Sequence, residues 1–516
     1  MATRRVRTSA ACSAALALCL LLASCDVRHT VAEPPQKVAT PLQPLPHPPP
    51  LFRPRSPSPI AAENRKHGTR RWILDRGARH EVAGFAAPIS VQQGEDVFLH
   101  VRTRARTVRA EIYRLGWYRG LGARLITTLG PVATGVQAAC RTMGPRFTVE
   151  CPWRPTLDVR TTASWPSGEY VAKLVDAERS EAYIPFIVRE LTPRAPILFV
   201  AAVTTWQAYN QFGGRSLYRG PSTTHCEVCP TRSRAVSFDR PYRWPGSGGV
   251  FAGEFQMIEL MEAHGLDVGY ATSIDIDRGD SVLQRRRVFV SAGHDEYYSR
   301  AMRDALTQAL AGGTSLAFLG ANDMYRHIRF ESSPLGPDRI EVNYKKAQED
   351  PFLKTDPAEA TGNWRSPPTN WPEQSQLGAQ YDCCPGTNHC AGDWFDWTAE
   401  GAPTWLFRHT GLARGVPVPR LIHGEYDRVY RTVPEPPGAI VVAHTTIPCG
   451  RFHMEQDSTF YEASSGGGVF DAGDEFFACA LGPTPPNGKC AARRVDPRIQ
   501  QLVLNLLNAM DVRHFA

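Results

Sequence analysis

From about residue 193 onward, continuous apolar runs alternate with amphipathic stretches, and this alternation constrains the fold more than any other feature. Residues 197–203 form an unbroken apolar run, the pattern of a strand buried on both faces. Residues 254–263 carry Phe255, Ile258 and Met261 at helical spacing, and Gly265 closes that segment. Residues 268–272, 288–290, 315–319 and 440–442 read as further strands. Ser299 stands where it can N-cap a helix with Met302, Ala305, Leu306, Ala309 and Leu310 on one face, and Gly312-Gly313 ends it. Asp496-Pro497 opens a last helix that runs to Met510, with Pro at its first position. Strands alternating with helices predict an α/β domain with a parallel, helix-covered sheet over 193–516. Its stretch 330–435, irregular and rich in Trp, Pro and Gly, reads as long loops over the sheet's edge.

The chain ahead of that domain reads differently. Residues 63–192 are short strands: Val97, Leu99 and Val101 alternate with other residues, as do Val108, Ala110 and Ile112. Trp165-Pro166-Ser167-Gly168 marks a turn between such runs, and the set predicts an N-terminal β-sandwich. Residues 26–62 hold a dense proline run and read as an extended linker. Residues 1–25 have the order of a secretory signal: Arg4, Arg5 and Arg7, then an apolar stretch, then Leu22-Ala23-Ser24-Cys25. Those last four resemble a bacterial lipobox, which implies acylation at Cys25. The expectation is an exported protein tethered to a bacterial membrane by lipid, on its periplasmic or outer side. The apolar stretch falls short of the ~20 residues that span a bilayer.

Export predicts an oxidising compartment. Of 13 cysteines, Cys12, Cys19 and Cys25 belong to the signal, and the even remainder suits disulfides, with Cys140/Cys151 and Cys479/Cys490 as first pairings. The groups His225-Cys226-Glu227-Val228-Cys229 and Cys383-Cys384 with His389-Cys390 have zinc-like spacing, but disulfides fit that compartment better. The formal charge of +7 includes the three signal arginines, so +4 remains without them, and no basic block interleaved with aromatics appears. Nucleic acid is therefore not an expected partner. A small-molecule substrate is, and self-association into a homo-oligomer is compatible with the sequence.

Chemistry concentrates at Ser291-Ala292-Gly293-His294-Asp295-Glu296-Tyr297-Tyr298-Ser299. A His and two acids there follow a buried strand, at the sheet edge where open α/β sheets bind ligands. Glu can ligate a hard metal or act as a base, and His can shuttle a proton. The competing role is a polar cap on the next helix. Thr204-Thr205-Trp206-Gln207-Ala208-Tyr209-Asn210 follows the first buried strand, so it too sits at a carboxyl end. Gly213-Gly214-Arg215-Ser216-Leu217-Tyr218 and Val236-Ser237-Phe238-Asp239-Arg240-Pro241-Tyr242 come next. Neither a Gly-x-Ser-x-Gly elbow nor a His-Glu-x-x-His helix occurs, which argues against a serine hydrolase or a zincin.

These four segments, in chain order from Thr204 to Ser299, resemble the N,N-dimethylformamidase beta (large) subunit family. So do Tyr113-Arg114-Leu115-Gly116-Trp117-Tyr118-Arg119-Gly120, Asn322, Arg329-Phe330-Glu331 and His423-Gly424-Glu425-Tyr426-Asp427. The resemblance implies a glutamine-amidotransferase-like C-terminal domain and a metal-dependent hydrolase of an amide C–N bond. It implies one ferric iron (Fe3+) held by Tyr209, Tyr242 and Glu296, with Tyr218 as the substitute phenolate. Glu425 and His294 are the implied catalytic proton carriers. Phenolate and carboxylate are hard donors, which suits a hard cation. A non-catalytic alternative is a surface-binding lipoprotein that uses Trp364, Trp371, Trp394 and Trp397 as aromatic platforms.

Overall fold

Five adjacent parallel strands form the spine of the C-terminal half: Val268–Thr272, Ile197–Ala201, Val288–His294, Ser315–Ala321 and Gly468–Asp471. Phe452–Glu462 and Ile440–Cys449 extend this sheet with antiparallel pairing. The computed structural model describes residues 58–75, 79–221, 229–279, 281–382, 393–449, 451–486, 488–492 and 494–515, all within the unit Leu42–Ala516. The signal segment, Cys25 and most of the proline-rich run lie outside the described residues. The fold is mixed α/β.

Every residue of Ile197–Ala201 and Ser315–Ala321 is buried, as strands covered on both faces must be. Phe255–Ala263, Arg300–Ala311 and Pro497–Val512 are the longer helices. Ser299 Oγ accepts the Met302 amide at 3.1 Å, so this residue caps its helix as its position predicts. Asp496 caps the last helix by accepting the Arg498 amide at 2.9 Å, with Pro497 first in the helix.

Ahead of this sheet lie two more. One orders Ser90–Gln92, Glu181–Arg189, Gly168–Asp176, Thr107–Leu115 and Ala123–Ala133; the other orders Ala83–Ala87, Asp96–Arg102 and Leu157–Arg160. Val97, Leu99 and Val159 share a core with Val108, Ile112 and Ile184 of the larger sheet. The alternating residues read from the sequence are therefore the inward ones. A second core joins Tyr113, Leu115 and Val171 to Phe199, Phe255 and Val290 of the C-terminal half.

Two expectations change. The stretch 330–435 is not all loop: Arg326–Ser333 and Gly336–Val342 form an antiparallel hairpin. This hairpin joins Ala235–Ser237 and Tyr297–Ser299 in a separate small sheet. Pro334 and Gly336 are the turn residues of that hairpin, and they made the sequence look irregular. Folded structure also begins inside the expected linker, because Pro59–Asn64 is a helix with Ile60, Glu63 and Asn64 buried. Cys140–Cys151 and Cys479–Cys490 are disulfides. Cys229 is disulfide-bonded as well, which removes it as a zinc thiolate. Among the described residues no helix is long and apolar enough to cross a membrane.

Candidate active site

Four adjacent parallel strands deliver polar residues at their carboxyl ends. Ile197–Ala201 leads into the helix Val203–Tyr209 and so to Tyr209. Val288–His294 ends on His294 itself, Ser315–Ala321 is followed by Asn322, and Gly468–Asp471 by Glu475 a few residues on. This is the edge at which an open α/β sheet places ligands. Gly293 has φ +80°, and a side chain there would meet the Ala252 carbonyl, so only glycine turns the chain at this point.

Glu296 is 1% exposed and gathers the neighbouring groups. Tyr209 Oη donates to Glu296 Oε2 at 2.7 Å, and Tyr218 Oη donates to Oε1 at 2.7 Å. The two phenol oxygens stand 3.0 Å apart, with their rings stacked at 4.4 Å. Tyr297 Oη donates to Tyr218 Oη at 2.8 Å, and Arg326 Nε donates to Glu296 Oε1 at 3.1 Å. Lys345 donates to Tyr297 Oη and holds its ammonium 3.4 Å from the Tyr218 ring centre. Burial opposes the Glu296 charge, but Lys345, His294 and Arg326 outweigh it and hold the carboxyl below its usual range. Burial, then the Glu296 charge, pushes the Tyr209 phenol well above its usual range.

Beside this set, His294 Nε2 lies 2.8 Å from Glu425 Oε2 and 3.6 Å from Glu296 Oε2. Asn322 Nδ2 donates to Glu425 Oε2 at 2.5 Å. Burial lowers the imidazole, but the charge and hydrogen bond of Glu425 prevail and raise it to about 9. Burial raises the Glu425 carboxyl above its usual range, with the His294 charge and hydrogen bond opposing it. The adjacent Asp295 turns elsewhere, accepting Ser291 Oγ at 2.6 Å and Tyr298 Oη at 2.5 Å. Ser299, not these acids, caps the helix, which leaves Glu296 free for the site.

The segment 204–210 explains how two loops meet there. Thr205 Oγ1 accepts the Glu296 amide at 2.9 Å, and Thr204 Oγ1 donates to the Tyr297 carbonyl at 3.0 Å. Asn210 donates to the Pro241 carbonyl and accepts the Arg243 amide, which ties in the loop bearing Tyr242. A cleft of ≈ 300 Å³ opens here, lined among others by Tyr209, Tyr242 and His294.

A family model described as N,N-dimethylformamidase beta subunit-like, C-terminal, matches residues 109–490. The chain belongs to this family. It is 26% identical over 215 residues to an N,N-dimethylformamidase beta subunit of an Alcaligenes species, a match covering 34% of this chain and 28% of that protein. It is 25% identical over 215 residues to the corresponding subunit of Paracoccus aminophilus, with the same coverage. The matched stretch thus spans under a third of either relative.

Of the residues implied by the family resemblance, the structure brings Tyr209, Glu296, His294 and Glu425 together. It also brings Tyr218, the substitute phenol, onto Glu296. Tyr242 lines the same cleft but stands outside this hydrogen-bonded set: its hydroxyl is buried without a partner, and its ring meets Trp206 edge-on at 6.1 Å. Tyr218 reaches Glu296 because its loop folds back under the helix that carries Tyr209, and the Leu217 amide donates to the Ala208 carbonyl at 3.0 Å. Sequence reasoning missed Lys345 and Arg326, which lie on or beside the unforeseen hairpin and carry no local motif. Tyr297 stood within a recognised segment, but its spacing did not distinguish it from a core aromatic.

Adjacent donors around an octahedral ion with bonds of ~2.0–2.1 Å sit about 2.9 Å apart. The separations among Tyr209 Oη, Tyr218 Oη and Glu296 Oε2, 2.7, 3.0 and 3.0 Å, match that edge. Two phenols and a carboxylate are hard donors of the kind a hard cation prefers.

Proposed function

We propose that this chain hydrolyses the C–N bond of an amide at a mononuclear ferric centre held by Tyr209, Tyr218 and Glu296. The observation that carries the reading is the convergence of three oxygen donors within 3.0 Å of one another, beside a His294–Glu425 pair, in a member of this family. When bound, such an ion polarises a carbonyl and lowers the pKa of water. The chain's own groups account for the proton. Glu425, fixed by Asn322, accepts it from the attacking water. His294, an imidazolium at neutral pH, donates to the departing nitrogen. Overall the acyl carbon gains a C–O bond, the C–N bond breaks, and the amine leaves with the proton. Lys345 and Arg326 support the negative charge that the ligand oxygens carry.

Two further inferences accompany this one. The paired N-terminal sheets act as a β-sandwich scaffold for a glutamine-amidotransferase-like domain. The N-terminus exports the chain and anchors it to a bacterial membrane through Cys25. The tryptophan-platform alternative loses support, because Trp364 and Trp397 are fully buried and Trp371 packs on Arg303 at 4.0 Å.

Protein produced with iron supplementation is expected to hold one iron per chain and to show a visible tyrosinate-to-iron absorption. Glu296→Gln is expected to lose both while keeping its circular dichroism. A folded, colourless, iron-free parent protein overturns the reading.

A further inference from the structure

The reading above uses the inner end of the cleft and leaves its outer end without a role. The cleft volume of ≈ 300 Å³ holds about ten waters' worth of ligand, roughly twice the size of dimethylformamide. Its wall is apolar where Gly248 and Gly249 lie against the Trp206 ring, so close that a side chain at either would collide with the indole.

Two features of the outer end point to what fills it. The first is Tyr242, which lines the cleft beside the Trp206 ring and offers it a second aromatic wall, while its hydroxyl is buried. The second is charge. Arg243 and Lys489 line the cleft and are exposed, which places them at its mouth. Among the described residues Arg243 makes one side-chain hydrogen bond, Nη1 to Gln211 Oε1 at 3.0 Å, and this leaves most of its guanidinium fork for a ligand. The acids of the cleft do not cancel these cations at the mouth. Glu475 accepts the Glu425 amide at the inner end. Glu254 accepts the Ala202 amide and the Trp206 indole, and burial, then Glu169, pushes it toward its neutral form.

We propose that the substrate is an N-substituted amide whose nitrogen substituent carries a carboxylate, bound by Arg243 and Lys489 at the mouth and packed on the Tyr242 ring within. This rests on the reading of the inner end as an amide-hydrolysing centre. It assigns Tyr242 to substrate binding instead of metal binding.

Calorimetric titration of the iron-loaded full chain tests it, with N-acetylleucine, its methyl ester and dimethylformamide as probes. The acid is expected to bind about ten-fold tighter than the ester, and both tighter than dimethylformamide. Arg243→Gln combined with Lys489→Gln should abolish the acid-over-ester preference. Tyr242→Ala should weaken both larger probes, because the aromatic wall is removed. Tyr242→Phe should leave their binding unchanged and raise the melting temperature of the free protein, because an orphaned buried hydroxyl is removed. Equal binding of acid and ester, no binding of either, or a preference untouched by the double substitution overturns the proposal. If the acid binds as expected but no amide is cleaved, the hydrolytic reading fails and the binding inference stands. If amides are cleaved without regard to the carboxylate, the reverse holds.

Discussion

The Tyr218 hydroxyl meets Glu296, Tyr209 and Tyr297 at once, while Tyr242, the same residue type in the same cleft, meets no hydrogen-bond partner. Their contrast makes the ligand assignment testable. Tyr218→Phe is expected to lower iron content and turnover by at least about 100-fold, because a first ligand and its hard oxygen are lost. Tyr242→Phe should retain its iron. Elemental analysis with the visible spectrum reads the difference, and equal iron loss in both variants refutes the assignment. Glu425→Gln keeps the size and the Asn322 contact but cannot take a proton, so kcat should fall about 10²–10⁴-fold with iron unchanged. A Glu425→Gln enzyme of near-parental kcat removes Glu425 from the chemistry. His294 and Glu296 were legible in the sequence because a buried strand runs straight into them. Lys345 and Arg326 were not, since a lone cation beside a distant phenol leaves no pattern along the chain.

At the scale of elements, period and burial decide what can be read. Asp96–Arg102 and Thr107–Leu115 show alternation because one face packs inward, and Arg300–Ala311 shows a helical stripe. Gly468–Asp471, a central strand, escaped notice: it is four residues long, follows a run of glycines and is buried throughout, so no period exists. Its last residue matters. The carboxylates of Asp471, Asp323 and Asp427 approach within 4.8 Å of one another, all buried. Burial, and next the Asp427 charge, raises Asp471 well above the usual range; burial raises Asp427 to about 7. The folded state therefore binds protons more tightly than the unfolded chain, whose aspartates titrate near ~3.9. That stabilisation is complete below ~3.9 and lost as pH rises through about 7. Asp427→Asn removes the titration and keeps the Oδ1 that accepts the Asn322 amide. Its melting temperature should exceed the parent's most at pH 8, and the gap should shrink steadily toward pH 4. A gap independent of pH, followed by thermal unfolding across that range, contradicts this account.

At the scale of the whole molecule, the described N-terminal sheets and the parallel sheet meet at a joint that the family-like run Tyr113–Gly120 helps to build. Arg114, on a strand of the five-stranded sheet, sends Nη2 to Glu262 Oε1 at 2.6 Å and Nη1 to Oε2 at 3.0 Å, with both side chains fully buried. Glu262 stands on the helix Phe255–Ala263 that flanks the parallel sheet, so the pair crosses between the two halves. The remaining valences are filled: Arg114 also donates to the Ser167 and Leu115 carbonyls, and Glu262 accepts Tyr270 Oη and Asn64 Nδ2. Gly116 has no side chain because one would collide with the Glu262 carboxylate. A fully satisfied buried pair costs desolvation on formation, so its net contribution is modest, whereas removing one partner strands a charge. Arg114→Met should therefore lose about 3–5 kcal/mol of stability in denaturant unfolding. Adding Glu262→Met should recover most of that loss, because the stranded carboxylate disappears and apolar volume fills the joint. The coupling shows as strong non-additivity in the double-mutant cycle. If the two losses simply add, the pair is not what joins the halves, and the apolar contacts of Tyr113, Leu115 and Phe255 carry the interface instead.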